Sequence, residues 1–74
     1  MWSQIERFDS GWVGITICLG PKEIDKLIDA LKALKCGKIG HFHFRSNELG
    51  GEAGIADIEI SLKGPRQPDN LTIE

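Results

Sequence analysis

The chemistry this chain could do is concentrated in His41-Phe42-His43, followed two residues later by Arg45, and in Asp57 and Glu59 further on. Alternate residues of an extended strand share a face, so the two imidazoles would stand side by side with the guanidinium next in line. Such a pair can chelate a borderline divalent metal if Cys18, Asp57 or Glu59 completes a tetrahedral set. Beside carboxylates it can also move protons. H-x-H supplies only two ligands and spacing does not fix the third, so the expectation is a site without metal. No nucleophile accompanies the histidines: Ser46 and Ser61 lack the strand-turn-helix setting of a nucleophile elbow. Gly37, Gly40, Gly50 and Gly51 match no dinucleotide or P-loop spacing. No catalytic residue and no cofactor is therefore assigned, and the chain reads as a non-enzyme.

The elements that would position these side chains are well marked. Ile24, Leu27, Ile28, Leu31 and Leu34 recur at helical spacing, with Lys22, Glu23, Asp25, Lys26, Asp29, Lys32 and Lys35 on the other side. Pro21 suits the first helical position and Gly37 a left-handed cap, which predicts a helix from Pro21 to about Lys35. Period-two alternation predicts strands at Trp12–Leu19, Ile39–Arg45 and Ala56–Leu62; the Asp9-Ser10-Gly11 turn offers Trp2–Phe8 as a candidate fourth strand, which alternation leaves open. Residues 46–54 read as an exposed Gly-rich loop. Pro65, Pro68 and Asp69-Asn70 break any continuation, so residues 1–64 are expected to form one domain and 65–74 a flexible tail.

One amphipathic helix can hide its stripe only against a sheet, which predicts an α+β two-layer sandwich in the order β-(β)-α-β-β. A strand-helix-strand crossover would make the Trp12 and His41 strands parallel, giving a mixed sheet of three or four strands. With Val13, Ile15, Ile17, Phe42, Phe44, Ile58 and Ile60 under the helix, parity leaves Trp12, Thr16, Cys18, His41, His43, Arg45, Asp57 and Glu59 on an open face. Trp12, His41, His43, Arg45, Asp57 and Glu59, with Glu48 and Glu52 of the loop, are the predicted partner-binding residues. A homodimer through the same face is the other association it allows.

Nine basic and eleven acidic side chains leave a net charge of −2, so no global field draws the chain to nucleic acid or anionic lipid. An aromatic-strand likeness to an RNA-recognition motif fails on parity, because Phe42 and Phe44 are wanted by the core. Met1 to Arg7 has no signal-peptide pattern and no apolar run suggests a membrane span, so a cytoplasmic protein is expected. Cys18 and Cys36 are too few for a disulfide framework and are expected as buried thiols.

The run Gly40-His41-Phe42-His43-Phe44, then Asn47-Glu48, the pair Gly50-Gly51 with Glu52 and a closing apolar strand resembles a small immunity-protein family of bacterial polymorphic toxin systems, the one numbered thirty-two. The helix opening Gly20-Pro21-Lys22-Glu23 is similar as well; Leu49 stands where the family's pattern has an aromatic. The likeness covers roughly half the chain. It implies a non-catalytic cytoplasmic antidote that binds and blocks a cognate toxin, against the alternative of a small metal- or ligand-binding domain using His41 and His43.

Overall fold

The computed structural model describes residues 1–47 and 53–74. The chain is α+β, with β1 (Trp2–Arg7), β2 (Val13–Cys18), α1 (Pro21–Lys35), β3 (His41–Arg45) and β4 (Asp57–Ser61). β1 and β2 pair antiparallel with Ile5 opposite Ile15, and β3 and β4 pair antiparallel with His43 opposite Glu59. The first hairpin closes over Asp9-Ser10-Gly11. There the Gly11 amide donates to the Phe8 carbonyl, the Phe8 amide donates to that of Trp12, and Gly11 sits at φ 89. That left-handed step is the glycine position of a three-residue hairpin loop.

The helix begins and ends where the sequence predicts. Pro21 occupies its first turn, and the Gly20 amide donates to Glu23 Oε1 at 3.0 Å. At the other end Gly37 takes φ 82, its amide donates to the Leu34 carbonyl, and the Lys38 amide donates to that of Ala33 at 2.9 Å. Those two bonds are a Schellman cap, which satisfies carbonyls the helix cannot. Glu23 Oε2 also receives the Met1 ammonium at 2.6 Å. That ammonium first, and the Gly20 amide second, hold the Glu23 carboxyl below its ordinary range.

The tertiary arrangement corrects the sandwich. Among the described residues the strands form two separate two-stranded antiparallel sheets, and β2 does not pair with β3. Both ribbons join strands that neighbour each other in sequence. The missing parallel pair would need closure across the whole helix for ladder bonds that are slightly weaker per residue. The apolar stripe of α1 is split in consequence. Leu27, Ala30 and Leu34 turn inward, whereas Ile24, Ile28 and Leu31 stay exposed, as do Val13 and Ile15 of β2, which were expected beneath the helix. Among the described residues only Leu34 is buried, at 6% exposure. Cys18 and Cys36 are exposed free thiols, not buried ones. Residues 62–74 carry no helix or strand and are tied locally by Lys63 to Asp69 and by the Gly64 amide to Gln67.

The chain exposes 6983 Å², against about 4,500 Å² expected for a folded monomer of 8.2 kDa. Its radius of gyration is 14.3 Å, where about 11 Å is usual for this length. Leu34→Ala should cost about 2 to 5 kcal/mol in urea unfolding, while Ile28→Ala at its exposed site should cost under about 1 kcal/mol. Equal losses would show that the stripe is not split. Glu23→Gln should lower Tm at neutral pH. Since the folded-state pKa is depressed, that stabilisation is present above the unfolded carboxyl's pKa and fades as pH falls through the lower folded value, so the gap between variant and parent should close in acid.

Candidate functional site

The second hairpin builds the face on which most of the predicted residues meet. Its parity puts Phe42, Phe44, Ile58 and Ile60 on one side, and His41, His43, Arg45, Asp57, Glu59 and Ser61 on the other. The apolar side turns toward the rest of the molecule. Phe42 and Phe44 line an open groove of about 350 Å³ with Met1, Glu23, Lys26, Leu27 and Ala30, and His43 borders it as well. The two rings meet edge-to-face with centroids 5.9 Å apart. A second groove, of about 420 Å³, runs between the ribbons past Trp2, Ile17, Phe44 and Ile58. Trp2 is a groove residue that the pattern reading left unassigned; its only signal is an aromatic on a strand face with no predicted cover.

On the polar side His43 is the centre. Its Nδ1 lies 2.9 and 3.1 Å from the two carboxylate oxygens of Asp57, and its Nε2 lies 3.7 Å from Glu59 Oε1. A carboxylate only accepts, so the neutral imidazole carries its proton on Nδ1, and Nε2 is left on the Glu59 side. Arg45 Nε donates to Asp57 Oδ1 at 3.3 Å, and Ser61 Oγ donates to Glu59 Oε2 at 2.9 Å. The His41 ring stands edge-on to that of His43, centroids 5.1 Å apart. His43 is half-buried, while the other members of the row are exposed.

Five of the predicted partner-binding residues, His41, His43, Arg45, Asp57 and Glu59, thus come together on one small face. Trp12 does not join them. It sits just before β2 at the hairpin turn, 79% exposed, and with the two sheets unpaired, Trp12, Thr16 and Cys18 belong to the other ribbon. The continuous open face expected from the sequence is therefore two faces. Cys18 is also lost as a ligand to the histidines. Glu48 and Glu52 lie outside the described residues. The role of Ser61 in orienting Glu59 was missed, although its place two residues along β4 puts it on the same face.

The row can do two things chemically. As ion pairs across a ribbon it contributes roughly 0.2 to 1 kcal/mol per pair. As a ligand set it offers His41, His43 and Glu59, whose ligating atoms lie within 4.8 Å of one another. Among the described residues no helix is long and apolar enough to cross a membrane. No family model, curated protein or solved structure matches the chain. Long-range nitrogen-proton NMR of neutral His43 should place its proton on Nδ1, and Asp57→Asn should shift the tautomer balance toward Nε2. An unchanged balance would mean that Asp57 does not orient the ring.

Proposed function

We propose that the chain is a non-catalytic binding protein whose fold is completed by a protein partner, and that this partner is a cognate bacterial toxin which it blocks. The observation that carries the reading is the surplus surface, about 2,400 Å² beyond that of a monomer of this mass. Standard complexes cover about 800 Å² per partner, and obligate interfaces reach roughly 1,000 to 2,500 Å². Part of the surplus belongs to residues 62–74, which carry no helix or strand and leave Leu71 and Ile73 exposed; the remainder still has room for an interface of standard size. It includes Trp12, Val13 and Ile15 on the first ribbon and Ile24, Ile28 and Leu31 on the helix. Tryptophan is among the residue types that dominate interface energies once desolvated. The charged row of Arg45, Asp57 and Glu59 would form a rim that sets association rate and salt dependence.

The toxin as partner rests on the resemblance carried by Gly40 to Phe44, Asn47-Glu48 and the Gly50-Gly51 segment, and the cytoplasm is the compartment it implies. In this reading His41 and His43 act as contact residues. With the partner bound, the two ribbons would close into the single mixed sheet of the predicted sandwich, β2 beside β3 and the helix over one face.

The test is co-expression with the toxin domain encoded by a neighbouring gene. Growth should be rescued and a stable complex isolated, and Trp12→Ala should raise Kd at least tenfold (about 1.4 kcal/mol), mainly through faster dissociation. Two results would overturn the reading. One is the absence of rescue and complex. The other is a chain that alone is already a dimer at micromolar concentration with Trp12 shielded from quenchers, which would give the surface to a second copy.

A further inference from the structure

We infer that His41, His43 and Glu59 form a binding site for a borderline divalent transition metal such as Zn²⁺, with Asp57 and Ser61 as its outer supports. The inference uses the polar face of the second hairpin alone and does not depend on the toxin reading. Two imidazoles and one carboxylate are a donor set that zinc and its neighbours accept, and three protein ligands leave a fourth tetrahedral position for solvent or a ligand.

What distinguishes this cluster from an ordinary row of surface charges is how its second atoms are used. In metal centres a ligating imidazole typically offers one nitrogen while the other is held by a hydrogen bond, and a monodentate carboxylate offers one oxygen while the other is held, an arrangement present here at His43 and Glu59. His43 meets the first condition, because Nδ1 is occupied by Asp57 at 2.9 Å and Nε2 is left facing Glu59. Glu59 meets the second, because Oε2 takes the Ser61 hydroxyl at 2.9 Å and Oε1 is left facing His43. The two free atoms lie 3.7 Å apart. Bonds of 2.0 to 2.1 Å in a tetrahedron separate neighbouring ligand atoms by about 3.4 Å, so this edge is nearly closed. His41 completes the set from within 4.8 Å, and its exposed ring has room for the remaining movement. Arg45 binds Asp57, which keeps the outer carboxylate in place without turning it toward the metal.

The register selects among the ligands the sequence left open. Glu59 lies directly opposite His43, Asp57 is engaged at the far nitrogen, and Cys18 is on another sheet.

The experiment is titration of the chelator-treated protein with Co²⁺ and Zn²⁺. One equivalent should bind with Kd of about micromolar or tighter, with the visible absorption of tetrahedral Co²⁺ and zinc-induced NMR shifts centred on His41, His43 and Glu59. His41→Ala and Glu59→Gln should each weaken binding at least tenfold with unchanged circular dichroism, and Asp57→Asn, which touches no metal, about ten- to a hundredfold. The site would be overturned by the absence of tetrahedral Co²⁺ absorption, by binding unchanged in His41→Ala and Glu59→Gln, or by shifts centred instead on Met1, Cys18 or Cys36.

Discussion

Apolar area wins stability only when something lies on top of it, and a two-stranded ribbon offers its neighbours very little to lie on. The described residues make two such ribbons and one helix, each with an apolar side. The helix can press on only part of what surrounds it, so cover converges on the inner half of its stripe and on Leu34. The other half of the stripe and the first ribbon's Val13 and Ile15 go without. Nothing in the local chemistry is at fault, since both helix ends are capped and the first hairpin loop has glycine where the backbone demands it. The deficit is one of layers.

The same shortage explains why the polar face is so well ordered. With one neighbour per strand, side chains on the second hairpin find partners along their own strand, directly across or diagonally across. Asp57 therefore serves both His43 and Arg45, and Ser61 serves Glu59. Cross-strand pairing fixes which atoms are occupied, and what is left over points to a common centre.

Much of this was legible in the residues. The helix follows from Pro21, Gly37 and the stripe between them, and β2, β3 and β4 follow from period-two alternation, because such signals are local and each residue reports its own environment; β1 has no such alternation, and only the Asp9-Ser10-Gly11 turn pointed to it. The pairing of β2 with β3 was not legible, since whether two distant strands join depends on closure and cover that no spacing encodes. That one uncertainty separated Trp12 and Cys18 from the histidines. At the candidate site, parity placed His41, His43, Arg45, Asp57 and Glu59 on one face. Parity cannot assign one nitrogen of His43 to Asp57 and the other to Glu59, because that depends on the ring rotamer and on reaching diagonally to Asp57, which no spacing encodes.

Two separate ribbons also mean that all four strands described are edge strands. Along such an edge every second amide points to the partner strand while the ones between point outward with no strand to receive them. Hydrogen-deuterium exchange along β1 to β4 would then alternate residue by residue, slow and fast, unlike the uniformly slow profile of a central strand. The outward amides are also unfilled positions on a hydrogen-bond ladder, so the backbone itself, regardless of side chains, remains able to accept an added strand on either ribbon.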